Sequence, residues 1–324
     1  MENNSKKIIL IGDTGSGKTT FMTVFSKSFP YVRDSKSAYL RPANQETADY
    51  ILEKYNALRN QKWPGTTDAS KLDELSWTLV TPNGKHQISI CDSSGQMIGE
   101  IYIERDKSKK SPEEGDSKKQ EEDSKKRTEY KDKLKKKINE SEIIIFLLRL
   151  DEILDMPEHL RDKRSLDLDF FARKLIKDKK HFCVLISQSD NLIPILGKEE
   201  LDCPYKALEH YCNDLAYTLE QARDGENVKF VSAVAETEVD KDGYSVPKSK
   251  FTYKDSKGMQ EVMNWICEKL EQKDSPVVSQ ETTHHSEIPS ERSLLSWKKK
   301  ACDIHDSFSN VVKRVRRTIF KFRE

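Results

Sequence analysis

No two cysteines in this chain stand at C-x-x-C spacing, so neither a zinc site nor a disulfide framework is expected. Cys91, Cys183, Cys203, Cys212, Cys267 and Cys302 lie far apart, several of them inside apolar runs where a thiol packs as a small hydrophobe. Long hydrophobic runs are missing too. The longest, Ile143 to Leu148, falls far short of the roughly 20 residues that a bilayer span needs. Nor is a cleavable leader expected, because Ser5-Lys6-Lys7 runs directly into branched apolar residues. Together these absences predict a reducing, cytoplasmic setting, with any membrane association peripheral. An excess of one charge is also lacking. The formal net charge is +1, which argues against a polyanion binder over the whole chain. The basic residues gather on one terminal stretch without a stacking platform, so nucleic acid is not an expected partner. Charged residues make up 34% of the chain and the mean hydropathy is -0.78, which implies that part of it stays outside a packed core.

What is present is concentrated near the start. Ile8 to Ile11 are consecutive branched apolar residues, the pattern of a strand buried on both faces. Gly12-Asp13-Thr14-Gly15-Ser16-Gly17-Lys18-Thr19 follows, a complete G-x-x-x-x-G-K-[ST] match, and then Phe21, Val24, Phe25 and Phe29 at helical spacing. Strand, glycine loop and helix in that order are the context this motif requires. Its chemistry explains its composition. Glycines let main-chain N–H groups turn inward around phosphate oxygens, and the new helix adds the positive end of its dipole. Lys18 would reach the terminal phosphates and the Thr19 hydroxyl would bind Mg²⁺. Asp13, Thr14, Gly15, Ser16, Gly17, Lys18, Thr19 and Thr20 are therefore the expected phosphate-binding residues.

Downstream, Gln45 to Leu58 reads as a helix with Ala48, Ile51, Leu52, Tyr55 and Leu58 on one face, after a polar, irregular stretch from Tyr31 to Arg41. Two strand-like runs, Leu75 to Thr81 and His86 to Cys91, flank Pro82-Asn83-Gly84-Lys85, a hairpin turn with Asn-Gly as its expected core. Residues 104–140 are almost wholly Lys, Glu, Asp, Ser and Gln. They read as a disordered insertion, with at most a solvated helix near Tyr130 to Ile138. Strands are expected at Ile143 to Leu150, His181 to Ser187 and Val228 to Ser232. Helices are expected at Leu166 to Ile176, Tyr205 to Ala222 and Met259 to Leu270. This alternation predicts an α/β, three-layer P-loop NTPase fold over residues 1–271. Its sheet would be mostly parallel and six-stranded, with one antiparallel hairpin strand. A polar linker over 272–289 and a basic amphipathic helix over 290–324 complete the chain.

Four further stretches carry chemistry. Asp92-Ser93-Ser94-Gly95-Gln96 closes a strand. Asp92 is placed to hold Mg²⁺ directly or through water, Gly95 to bring its N–H near a γ-phosphate, and Gln96 to orient an attacking water. Thr66 or Thr67 offers a hydroxyl to the same metal, the alternative being a helix N-cap after a Pro-Gly turn. Ser187-Gln188-Ser189-Asp190 and Ser232-Ala233 follow adjacent predicted strands, at whose carboxyl ends ligands bind. A carboxylate there accepts from guanine N1–H and N2–H₂, a donor pair adenine lacks, and a Ser-Ala main-chain N–H can meet O6.

In this order the stretches resemble the Ras-like GTPases of the translation-factor-related P-loop class. The resemblance runs over about Lys6 to Glu271. The long piece Tyr31 to Lys62 and the Trp63-Pro64-Gly65-Thr66 that follows look more like bacterial Ras-like GTPases found beside conflict or regulatory gene sets. The family reads N-K-x-D or T-K-x-D where this chain has S-Q-S-D, so Gln188 stands in place of the lysine that covers the base. The resemblance implies GTP and GDP as ligands, Mg²⁺ as cofactor, and Lys18, Gly95 and Gln96 as catalytic. It implies Thr19, Thr66, Thr67 and Asp92 around the metal, Asp190 as base discriminator, and a protein effector or activator as partner. Arg59 and Lys62 are the nearest bases before the switch threonine. Neither matches the built-in arginine of Gα proteins, so slow intrinsic turnover is expected. The rivals are a nucleotide-gated scaffold that scarcely hydrolyses, and a P-loop ATPase or small-molecule kinase. In the terminal helix, Leu294, Trp297, Ala301, Ile304, Phe308, Val311 and Val315 keep a 3-4 spacing among lysines and arginines. That suits a membrane surface, a partner helix or the protein's own domain.

Overall fold

Period-2 and period-3.6 patterns alternate along this chain, and a computed structural model builds the elements they call for. It describes residues 6–13, 15–31, 37–64, 75–90, 117–221 and 227–271. These fall within the first of two compact units, Met1–Lys273; the second, Asp274–Glu324, lies outside the described residues, and with it the expected linker and terminal helix.

The strands are β1 (Lys7–Gly12), β2 (Tyr39–Pro42), β3 (Ser76–Thr81), β4 (Gly84–Ile90), β5 (Ile143–Leu148), β6 (His181–Ile186) and β7 (Val228–Phe230), with β8 (Thr237–Val239) and β9 (Ser245–Pro247) in a separate pair. The helices are α1 (Lys18–Ser28), α2 (Gln45–Arg59), α3 (Ser117–Glu140), α4 (Leu150–Asp155), α5 (Glu158–Lys177), α6 (Lys198–Asp202), α7 (Pro204–Tyr211), α8 (Asn213–Gln221) and α9 (Met259–Glu271). The main sheet runs β2-β3-β4-β1-β5-β6-β7. β1 pairs in parallel with both β4 and β5, β5 with β6, and β6 with β7; β3 is antiparallel to β2 and to β4.

Because side chains alternate along a strand, β1 feeds two cores. Ile9 and Ile11 join Ile144, Phe146, Leu148, Val184 and Ile186 beneath α5, α7 and α8. Ile8 and Leu10 join Ile143, Ile145 and Leu147 with Phe21, Val24 and Phe25 of α1 and Val262 and Ile266 of α9. Covering both faces is what the unbroken apolar strands require. Among the described residues no helix is long and apolar enough to cross a membrane.

Several expectations need correction. The sheet has seven strands rather than six. The additional one, β2, lies in the stretch read as irregular, and only its Leu40 is buried. A four-residue edge strand ending in Pro42 has too little pattern to read, and an edge is where a proline is tolerated. The β3–β4 hairpin turns on Pro82-Asn83, with Thr81 paired to Gly84, rather than on Asn83-Gly84. Proline's φ near −65° suits the first central position of a type I turn, and neither Asn83 nor Gly84 has the positive φ that an Asn-Gly type I′ turn needs. The helix expected at Tyr205 to Ala222 is two helices, α7 and α8, broken at Cys212 (φ −139°).

The largest departure is in the charged stretch. Residues 104–116 lie outside the described residues, but residues 117–140 form α3. Leu134 and Ile138 of α3 are 2% and 1% exposed and pack into the core with Ile9 and Ile144. Two apolar residues four apart were masked by the lysines and glutamates around them, yet they suffice to seat one face of a helix. Lys7 closes the end of α3 with an ion pair to Glu140 at 2.8 Å. Leu134→Ala and Ile138→Ala should therefore each cost about 2–5 kcal/mol in denaturant unfolding, as buried Leu and Ile truncations do. A solvated helix would give a change near zero.

One excursion leaves the sheet and returns to it. After β7, Ser232 and Lys257 exchange both main-chain hydrogen bonds, N–H of each to O of the other, at 3.1 and 2.8 Å. Between them β8 and β9 form a hairpin whose feet, Glu236 and Lys248, meet through the Lys248 N–H (3.2 Å) and an ion pair (2.5 Å). The hairpin reaches the segment after α2. Trp63 Nε1 donates to Ser245 O at 2.7 Å, and Gln61 bonds Glu238.

Candidate functional site

Strand order reverses beside β1, with β4 on one side and β5 on the other. In open α/β sheets a crevice forms at the carboxyl ends of the strands at such a point. The glycine loop begins there. A Cβ on Gly12 would come 2.6 Å from Leu147 O and 2.8 Å from Ser16 Oγ, so only glycine lets the loop leave β1 this close to β5. Gly17 sits at φ +80°, the left-handed conformation glycine adopts without strain, and it caps α1. The first turn of α1 has no acidic residue and no side-chain cap, which suits an anion.

Lys18 opens α1 and is 3% exposed. Its Nζ donates to Gly12 O at 3.0 Å and Asp13 O at 2.7 Å, which holds the ammonium group across the loop. Thr19 and Thr20 follow in the same turn, half-buried. The Ser16 side chain is fully buried against Gly12 and its N–H goes to Asp13 O at 3.1 Å, so its hydroxyl backs the loop. Gly15 is exposed; Thr14 lies outside the described residues.

The second and third motifs converge on this loop. Ser187 is 4% exposed and is spent on Leu148 O, through its N–H (2.9 Å) and Oγ (3.3 Å). Its hydroxyl therefore holds β6 to β5 instead of facing the crevice. Gln188 adopts a left-handed conformation (φ 53°), unusual for a residue with a side chain. Its amide Nε2 donates to Gly15 O at 3.3 Å, and Asn191 Nδ2 donates to its Oε1 at 3.3 Å. The residue in the lysine's place thus binds the phosphate loop directly. Asp190 accepts a hydrogen bond from Ser232, which is 1% exposed and locked by the pairing with Lys257. Ala233 follows, half-buried. Gln188 thus ties the loop after β6 to the phosphate loop, and Asp190 ties it to Ser232 at the end of β7.

Of the oxygens expected around a metal, only Thr19 lies in the described residues; Thr66, Thr67 and Asp92 lie outside them, as do Gly95 and Gln96. Among the described residues no group of three His, Cys, Asp or Glu could hold a metal. A single helix-borne hydroxyl beside an anion cradle fits Mg²⁺, which takes one or two protein oxygens and fills its shell with phosphates and water.

Sequence reasoning missed the charged rim. Arg149, Asp151 and Glu152 follow β5, and their place after a strand's carboxyl end was the one signal that could have found them. Arg149 bonds Asp151 at 2.5 Å and Glu152 at 2.7 Å. Burial pushes the Asp151 carboxyl up, but the Arg149 hydrogen bonds and charge outweigh it and hold the group below its usual range. Burial raises Glu152, against the pull of Arg149 and with Asp151 and Asp13 adding to the rise. Asn191 Nδ2 also reaches Asp151 Oδ2 at 3.3 Å. Arg164, from the second turn of α5, donates to both carboxylate oxygens of Asp13 at 2.5 and 2.6 Å. A contact 151 residues away leaves no local signal.

No protein-family model and no curated protein matches the chain. Among solved structures, a probable GTP-binding protein, EngB, is similar at 13% identity and a TM-score of 0.38, over 82% of this chain and 99% of that one. A bacterial dynamin pair, described as oligomerised and as sensing and tethering membranes over long range, is similar at 16% identity and a TM-score of 0.34. That match covers 97% of this chain, which spans half the length of the dynamin chain.

Proposed function

We propose that this chain is a GTP-binding and GTP-hydrolysing switch. The observation that carries the reading is the Gln188 amide on Gly15 O, because it draws the base-side loop bearing Asp190 onto the phosphate loop. A nucleotide spanning the crevice would meet main-chain N–H groups and Lys18 at its phosphates and a carboxylate at its purine. Asp190, oriented by Ser232, would accept from guanine N1–H and N2–H₂. The N–H of Ala233 would donate to O6.

Catalysis would rest on positioning and electrostatics. Lys18 stabilises charge on the transferred phosphoryl group, and Gln96 orients the attacking water. Thr19, Asp92 and Thr66 or Thr67 would hold Mg²⁺, which would supply positive charge against the phosphates. Gly95 and the switch threonine would hold their loops to the γ-phosphate and release them after hydrolysis. The terminal helix would engage a membrane surface or a partner helix.

Calorimetry of GTP, GDP and ATP on the full-length chain with Mg²⁺ tests this. GTP should bind at least about a hundredfold more tightly than ATP, because adenine lacks the N1–H and N2–H₂ donor pair that the Asp190 carboxylate would accept. Asp190→Asn should move the preference from guanosine to xanthosine nucleotides. Equal affinity for ATP, or an Asp190→Asn variant with unchanged preference, rejects the guanine assignment. Tight GTP binding with no turnover, unaltered by Gln96→Ala, identifies a scaffold instead.

A further inference from the structure

We infer that Arg164 is a positioning residue of the phosphate loop: it neutralises Asp13 and holds its peptide so that Lys18 is aimed across an otherwise repulsive cradle. This rests on the reading of the crevice as a nucleoside triphosphate site. Asp13 is gripped at both ends. Its main-chain O takes Lys18 Nζ at 2.7 Å and the Ser16 N–H at 3.1 Å, while its carboxylate takes Arg164 Nη2 at 2.5 and 2.6 Å. Both side chains are largely withdrawn from water, at 13% and 21% exposure. Planar guanidinium on carboxylate, at these lengths, is a directional bond.

The electrostatic need is plain. Asp13 stands next to the loop's main-chain cradle, and Glu152 lies near enough to feel its charge. A triphosphate brings several more negative charges to the same place. Arg149 is already committed to Asp151 and Glu152, and among the described residues Arg164 is the cation paired with Asp13. The helix that carries it is itself anchored. Ser165 Oγ donates to Asp214 of α8 at 3.1 Å, and Thr218 of α8 donates to Asp169 at 2.5 Å. Arg164 therefore reaches the loop from a fixed support.

The test is titration of Mg·GTP into full-length wild type, Arg164→Gln, Asp13→Asn and the double variant, at low and high salt. Arg164→Gln should weaken binding at least about tenfold at low salt and less at high salt, since salt partly screens the repulsion between Asp13 and the triphosphate. The double variant should recover to within about threefold of Asp13→Asn, because removing the carboxylate removes the need for its partner. A merely structural arginine would give neither the salt dependence nor the rescue. Asp13→Asn is the reference for the double variant, and if Arg164→Gln melts early the comparison of the double variant with Asp13→Asn, neither of which leaves an uncovered carboxylate, carries the test. Arg164→Gln within about twofold of wild type at low salt, a double variant no better than Arg164→Gln, or a double variant more than about threefold weaker than Asp13→Asn each overturns the proposal while leaving the GTP reading intact. Wild type that binds no nucleoside triphosphate overturns both.

Discussion

Lys18→Ala lowers the affinity of the full-length chain for GTP by about 10²–10⁴-fold while leaving the fold in place: that is the largest functional effect expected of any single change. Charge-assisted hydrogen bonds contribute about 1.5–3 kcal/mol each, and an ammonium group facing a polyphosphate makes at least two. In the structure Lys18 donates its Nζ to Gly12 O and Asp13 O, so its removal also takes away the bridge between two carbonyls that shape the loop. The side chain lies at the first position of α1, where alanine is a good helix former, so thermal unfolding should move little. Calorimetry with Mg·GTP and a melting curve on the same sample check both halves. Unchanged affinity would mean that the loop does not hold phosphate.

The second large effect concerns stability. Gly258 opens the return from the excursion into α9 at φ +78°, and a Cβ there would fall inside the contact shell of the Phe230 carbonyl oxygen, with Val231 Cγ1 at 3.1 Å. Gly258→Ala therefore combines a left-handed conformation, about 1–2 kcal/mol, with overpacking against strand backbone, about 1–3 kcal/mol. The expected loss is about 2–5 kcal/mol, or a fall in Tm of about 5–15 °C for a unit of this size. Gly243→Ala separates the two contributions. Its φ is +85° with nothing within 4 Å, so it should lose only the conformational part. The strain at residue 258 also bears on the site, because pushing α9 from β7 pulls on the Ser232–Lys257 pair and thus on Asp190.

Much of this arrangement was legible beforehand. The β1–loop–α1 unit was readable because a complete motif lay between an unbroken apolar run and a helical period. β5 and β6 were readable because strands buried on both faces are apolar throughout. The failures have physical causes. β2 is too short and too exposed to carry a period. In α3 a two-residue apolar stripe was drowned by charge. The pairing at Pro82-Asn83 depended on the φ of proline overriding a familiar dipeptide. In the crevice, Asp190 and Ser232 were identified from their place after strands, and the structure adds their mutual bond. Arg164 was out of reach because nothing near it in sequence records that α5 crosses the loop.

The excursion that begins and ends at neighbouring residues has a consequence for how such a protein diversifies. Glu236 and Lys248 already touch, so the stretch between them behaves as an appendix whose length and composition can change without shifting the register of any of the seven strands. Its strands meet Gln61 and Trp63 after α2, so variation there would change what packs on that segment while the interior of the sheet stayed constant.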